Sequence, residues 1–276
     1  MNDRMFDQIK EAADYIVTHL NVKPKIGMVL GTGLSNIASE IEDEVIIRYA
    51  AIPWFSHSTV ASHKGEMVFG RLGEKDVVIL AGRFHYYEGY TMQQVTFPVR
   101  VLKELGVETI LISNAAGSVN AAYEAGDIVF LKDHINLMPE NPLRGPNDER
   151  LGLRFPDMSD AYDKNLIEKA VEIANKNNIR CHQGVYVALQ GPNLETPSEY
   201  NFINVIGGDL VGMSTVPEVL VARHCGMRVF GVSVVSNKCF PLSAIKETTH
   251  ESVIAVANET EPKLAKIFKE IIQFID

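Results

Sequence analysis

Short apolar runs, each closed by a glycine or by polar residues, recur along the chain and alternate with helical patterns. Ile26–Leu30, Val68–Gly70, Val77–Ala81, Thr109–Ser113, Ile128–Leu131, Gly184–Leu189, Leu210–Gly212 and Val229–Val235 read as strands. Between several of them, Gln93–Leu105, Asp163–Asn177, Ser198–Ile206 and Val216–Cys225 read as helices. An amphipathic helix precedes the first strand, with Phe6, Ile9, Ala13, Ile16 and Leu20 spaced by threes and fours. A closing helix is predicted over Thr249 to Phe274, with Pro262 expected to interrupt or kink it. Such alternation predicts an α/β fold, a mixed twisted β-sheet flanked by helices. The 276 residues hold no repeat, low-complexity tract or linker, so one domain spanning 1–276 is expected.

Composition narrows the partners. A net charge of -9 argues against binding nucleic acid or an anionic membrane, so any anion site must be a local pocket. Cys181, Cys225 and Cys239 are too few for a disulfide framework. The start Met1-Asn-Asp-Arg-Met-Phe-Asp7 lacks a signal pattern, and no apolar run is long enough to span a bilayer. A cytoplasmic protein is expected.

In α/β sheets ligands gather outside the carboxyl ends of strands. The unusual residues of this chain fall there repeatedly: Gly31-Thr-Gly33, Arg83-Phe-His-Tyr-Tyr87, Asn114-Ala-Ala-Gly117, Gly191-Pro-Asn-Leu-Glu195, Met213-Ser-Thr215 and Ser236-Asn-Lys238. If the backbone stays extended, a period of two puts Arg83, His85 and Tyr87 on one side, a guanidinium and an imidazole suited to an oxyanion. A surface turn punctuated by Gly89 is the plainer alternative. The Gly31-Thr-Gly33 loop lacks the third glycine of a dinucleotide fingerprint and the Gly-Lys-Ser/Thr ending of a triphosphate loop, which leaves NAD and ATP unsupported. What remains is an anion held at a helix start with the Thr32 hydroxyl, or a plain turn in which Thr32 caps the helix.

Ser214 is a hydroxyl donor rather than a nucleophile, because Gly212-Met-Ser-Thr-Val216 is not a Gly-x-Ser-x-Gly elbow. The backbone at Ala115 can bring N–H groups close, and His63 can join the cage or face solvent. Histidine and cysteine spacings show no metal-ligand pattern, so no metal is expected. Glu195 and Asn237 pair an acceptor with a donor–acceptor amide, which suits a planar heterocycle between Leu194 and Val211. Each also fits a surface acid or a turn residue. His250 opens the last helix, where Thr248 and Glu251 can form a capping box. The segment Met138 to Ala161 is long for a connection and is punctuated by Leu151, Leu153, Phe155 and Met158, which points to an active-site or subunit-contact role.

Several stretches resemble the trimeric purine nucleoside phosphorylases: Gly31-Thr-Gly-Leu34, Ser58-Thr-Val60, Gly82-Arg-Phe-His-Tyr-Tyr-Glu-Gly-Tyr90, Asn114-Ala-Ala-Gly117, Asn141 to Arg150, Gly212 to Glu218 and Val221 to Gly226. The resemblance runs from the first strand to the last helix and implies a nucleoside phosphorylase/hydrolase-like fold. It implies reversible phosphorolysis of purine nucleosides, preferably inosine and guanosine, with inorganic phosphate as co-substrate and no cofactor. By the same resemblance Thr32, His63, Arg83, His85, the Ala115 backbone and Ser214 hold phosphate. Tyr87, Met213 and His250 line the ribose, together with Phe155 from the neighbouring subunit of a homotrimer. Glu195, Asn237, Leu194 and Val211 hold the base, and Asn237, His85 and Glu195 are the implied catalytic groups. Two positions depart from the family pattern: Thr32 stands where serine is common, and Leu194 where an aromatic is frequent. A hydrolase, a non-catalytic purine binder and a nicotinamide oxidoreductase are the competing readings.

Overall fold

A computed structural model of the chain describes residues 4–20, 22–34, 36–57 and 64–275. In chain order its strands are β1 (Ile26–Leu30), β2 (Glu42–Arg48), β3 (Glu66–Leu72), β4 (Lys75–Ala81), β5 (Thr109–Ser118), β6 (Ile128–Asn136), β7 (Cys181–Ala188), β8 (Leu210–Gly212) and β9 (Arg228–Lys238). The helices are α1 (Met5–Val17), α2 (Met92–Glu104), α3 (Lys164–Lys176), α4 (Pro197–Val205), α5 (Val216–His224) and α6 (His250–Ile271). All the strands join one mixed sheet in the order β2-β3-β4-β1-β5-β8-β7-β6-β9. Because β5 also pairs with β9, the strands from β5 to β9 close into a ring.

The pairings β4–β1, β1–β5 and β5–β9 are all parallel, so the carboxyl ends of these strands open on one edge. Every residue of β1 is buried, as a parallel strand covered on both faces requires, and its sequence is correspondingly apolar throughout. By contrast β2 is an antiparallel edge strand, mostly exposed, with the polar sequence Glu-Asp-Glu-Val-Ile-Ile-Arg. Its only apolar run, Val45-Ile-Ile47, is short and flanked by charged residues, which is why the strand pattern passes over it. Helices α1 and α5 both pack on α2, while α3 packs on α6 and α6 on β9.

The structure departs from the sequence expectations at several points. Asn114–Gly117 is not a loop after a strand but part of β5, and Ser236–Lys238 likewise belongs to β9. Only a 3-10 turn, Asn36–Glu40, follows the Gly31 loop, and its first N–H groups (Asn36 and Ile37) donate to the Glu261 carboxylate. An anion at an α-helix start, or a Thr32 helix cap, therefore has no helix there to use. Thr249 and Ser252, rather than Thr248 and Glu251, form the capping box of α6. Pro262 sits inside α6 without interrupting it. The adjacent Glu261, Leu264 and Ala265 are buried, so tertiary contacts offset the lost backbone bond. From Leu137 to Asp163 there is neither helix nor strand. Leu143, Leu151 and Met158 anchor that segment to the core, whereas Leu153 and Phe155 are exposed.

Candidate active site

A cavity of about 460 Å³ opens where the parallel strands end. Its lining includes Gly31 and Thr32 after β1; Arg83, His85 and Tyr87 after β4; Asn114 to Gly117 in β5; and Val211 to Ser214 at β8. Ser236 and Asn237 of β9, Leu194, Glu195 and Tyr200, and Thr248 to His250 at the start of α6 also line it. Of the residues singled out from sequence, Phe155 lies elsewhere, 85% exposed on the long segment. His63 and the Ser58-Thr-Val60 motif lie outside the described residues.

Close backbone approach creates the floor. A Cβ on Gly31 would stand 2.8 Å from the Ser113 carbonyl oxygen and 2.9 Å from Asn114 Cα, so only glycine lets β1 end against β5. On β9 the register slips beside Ala116 and Gly117, with Val235 opposite the former and Asn237 opposite the latter. Such a bulge breaks the two-residue alternation. It allows the consecutive residues Ser236 and Asn237 both to line the cavity, with the Ser236 hydroxyl donating to Asn237 Oδ1 at 2.7 Å.

The extended backbone expected through Tyr87 persists only to His85, after which Tyr86–Glu88 turn as a 3-10 helix. That turn stacks the His85 and Tyr87 rings, centroids 4.7 Å apart, and all three side chains still reach the cavity. Glu88 accepts from the His85 backbone N–H at 2.7 Å and lies 3.2 Å from its Nδ1. Burial lowers the His85 pKa, a pull only partly opposed by Glu88, so the ring is neutral at pH 7. Burial also holds the Tyr87 phenol up at about 12.

Arg83 is buried and committed. Nη1 donates to Glu218 Oε2 at 2.9 Å, to Ser214 Oγ at 3.1 Å and to Thr215 Oγ1 at 3.3 Å, while Nη2 donates to the carbonyls of Ser113 and Val29. Its buried Nε has no partner among the described residues. Burial raises the Glu218 pKa while Arg83 pulls it down. Thr215 adopts φ 71°, an uncommon conformation for a β-branched residue, and accepts from Asn114 Nδ2 at 2.9 Å. This fixed turn sets Ser214 at the cavity. Glu218 escaped the sequence reading, although an acid inside the apolar run Val216-Pro-Glu-Val-Leu220 is a signal that a buried cation must meet it.

On the opposite side of the cavity's chemistry, burial raises the Glu195 pKa. The Asn237 amide donates through Nδ2 to Cys239 Sγ at 3.1 Å. Val211 is buried, whereas Leu194 is 48% exposed. Among the described residues no group of three or more His, Cys, Asp or Glu is placed to hold a metal ion.

A strand-end pocket combining compact anion donors with an acid–amide pair belongs to an α/β enzyme of the phosphorylase type, and residues 25–273 match the family described as the phosphorylase superfamily. Purine nucleoside phosphorylase 1 of Geobacillus stearothermophilus is 49% identical over 265 residues, covering 96% of each chain. The mouse purine nucleoside phosphorylase is 42% identical, covering 100% of this chain and 98% of its own. A crystal structure of the Schistosoma mansoni isoform 2 enzyme, in complex with cytosine and ribose-1-phosphate, superimposes with a TM-score of 0.93 at 43% identity, covering 98% of this chain and 97% of that one. The chain belongs to the purine nucleoside phosphorylase family.

Proposed function

We propose that the chain cleaves 6-oxopurine nucleosides, inosine and guanosine foremost, with inorganic phosphate, giving the free base and ribose 1-phosphate. One observation carries this reading: a single cavity holds both an oxyanion donor set around Arg83 and an acid–amide pair at Glu195 and Asn237. A purine nucleoside phosphorylase from Schistosoma mansoni, 40% identical, has been crystallised with inosine, and a schistosoma purine nucleoside phosphorylase, 41% identical, with hypoxanthine.

In this reading Thr32, Arg83, His85, the Ala115 backbone and Ser214 hold phosphate, with His63 as a further donor. The Arg83 guanidinium, which donates to Ser214 Oγ, lines the cavity and supplies its positive charge. Glu88 engages Nδ1 of a neutral His85, so the ring meets phosphate as a hydrogen-bonding group rather than as a charge. Tyr87, Met213 and His250 flank the ribose. His250 is exposed in the single chain, and so is Phe155, which fits a homotrimer in which Phe155 of one subunit closes the ribose site of the next.

Phosphate displaces the base at the anomeric carbon through a ribosyl cation-like transition state, so the protein supplies position and charge stabilisation rather than a nucleophile. Negative charge gathers on the departing purine. An Asn237 N–H donor stabilises it, and Glu195 accepts from the ring N–H. Incubation of inosine with and without phosphate tests the proposal: ribose 1-phosphate appears only with phosphate, and phosphate-independent release of ribose would identify a hydrolase instead.

A further inference from the structure

We propose that Glu261 is a positioning residue that moors the Gly31–Leu34 loop to α6, so that one helix fixes where phosphate sits relative to ribose. The proposal rests on the phosphate role given above to Thr32 and the ribose role given to His250. Glu261 is buried in the middle of α6. Its Oε1 accepts from the backbone N–H groups of Asn36 and Ile37, the latter at 3.2 Å, and its Oε2 accepts from Asn36 Nδ2. Burying a carboxylate is costly unless its oxygens are matched by donors. Here an acid on the last helix meets donors 225 residues earlier in the chain, just beyond the loop that lines the cavity.

The mooring is continuous with the site. Gly33 has φ 70°, and a Cβ there would stand 2.7 Å from Ala257 Cβ and 3.3 Å from the carbonyl oxygen of Ile254. Glycine therefore lets the loop lie directly on the helix. Thr32 is pinned between Gly31, which abuts β5, and Gly33, which abuts α6. Ile254, Ala257 and Glu261 follow at spacings of three and four, which puts them on one stripe of α6. His250 and Val253 begin the same stripe and line the cavity. At about 1.5 Å per residue the helix rises roughly 16 Å from His250 to Glu261. Loop and helix are tied along this length, so Thr32 and His250 keep a fixed separation.

The donor pattern is directional, which makes the tie separable from mere packing. A glutamine at 261 can keep Oε1 for the two backbone N–H groups, but its Nε2 then faces Asn36 Nδ2, donor against donor. Combining Glu261→Gln with Asn36→Asp exchanges acid and amide. That exchange restores a donor facing an acceptor and keeps one negative charge in the pair.

Steady-state kinetics with phosphate and inosine varied in turn test the mooring. Glu261→Gln should raise the phosphate KM by about tenfold, the worth of one charge-assisted hydrogen bond, with the inosine KM within about twofold of wild type. The exchanged pair should return the phosphate KM to within about twofold of wild type. Asn36→Ala, at an exposed residue, removes only the Oε2 arm and should raise the phosphate KM about threefold even where Glu261→Gln does not fold. An unmoved phosphate KM in either folded single variant, phosphate and inosine KM rising together, or an exchanged pair no better than Glu261→Gln would overturn the proposal. Wild-type protein that releases ribose from inosine without phosphate would instead overturn the reading of the site on which it rests.

Discussion

Asn237→Asp separates recognition from catalysis most sharply. Asn237 lies in β9 with its backbone in register opposite Gly117, and Ser236 Oγ already donates to its Oδ1, so an aspartate can occupy the same position without moving the strand. One structural bond is lost, Nδ2 to Cys239 Sγ, at a cost of about 0.5–1.5 kcal/mol of stability. For a chain of this size that corresponds to a melting shift of only a few degrees. The catalytic loss is larger. The N–H donor to the departing 6-oxopurine disappears, and removing one such donor from a developing anion costs about 2.7–4 kcal/mol, or roughly 10²–10³ in kcat. A second carboxylate beside Glu195 adds repulsion toward the base's oxygen. Adenosine, with an exocyclic amine in that place, should lose less or gain, so the inosine-to-adenosine ratio of kcat/KM should collapse or invert. Phosphate-dependent kinetics with both nucleosides, beside a thermal melt, provide the measurement. Retention of inosine kcat/KM within tenfold in a folded variant refutes the role given to Asn237.

Glu218→Ala should destabilise the fold by about 3–5 kcal/mol in denaturant titration and raise the phosphate KM, because it strands Arg83 in a buried site; an unchanged midpoint would mean that Glu218 does not compensate Arg83. The pH dependence should follow Glu195, whose pKa burial lifts above 4.5: base binding needs the ionised form, so inosine kcat/KM should fall as pH drops through that raised value, and Glu195→Gln should lack this acid limb. The sign for stability is opposite. A carboxyl with a raised folded pKa loses stability as pH rises through that value, so Glu195→Gln should melt no lower than wild type at pH 7; a clearly lower melting point would contradict the burial argument. Phe155→Ala should weaken nucleoside binding by roughly 1.5–3 kcal/mol with little change in melting of the subunit, since the ring is exposed within its own chain; an unaltered nucleoside KM would remove Phe155 from the ribose site.

The strand–helix alternation and the clustering of polar residues at strand ends were legible because both follow from local pattern. Buried β1 reads as five apolar residues in a row, and Arg83, His85 and Tyr87 announce themselves after the apolar end of β4. What local pattern cannot carry is pairing. The slip opposite Ala116 and Gly117 arises from the register between β5 and β9, and only that register reveals that Ser236 and Asn237 share the cavity. Tyr200 and Cys239 were passed over for the same reason: a tyrosine in a helix and a cysteine after a strand look like core until the fold sets Tyr200 on the cavity lining and Cys239 Sγ 3.1 Å from Asn237 Nδ2. The positive φ at Thr215 was equally hidden, because β-branched residues rarely adopt it and nothing in the local sequence demands it.

The electrostatics of the proposed phosphate site follow from the same pairings. Glu218 offsets the charge of Arg83 at 2.9 Å, and burial keeps His85 neutral, so the cage carries little net positive charge despite its guanidinium. In a chain of net charge -9 this means that attraction at long range contributes little to capture of a phosphate. On the proposed reading, affinity comes from short-range donors on the cavity lining: the Arg83 guanidinium, the Ser214 and Thr32 hydroxyls, and backbone N–H groups at Ala115. Oriented dipoles need no reorganisation as negative charge moves from the attacking phosphate to the departing base, whereas a bare cation would bind the reactant anion as tightly as the transition state and lower KM without raising kcat. On the proposed reading the buried acid beside the guanidinium serves turnover as well as the fold. Restraining the charge of Arg83 leaves phosphate held firmly enough to align and loosely enough to react.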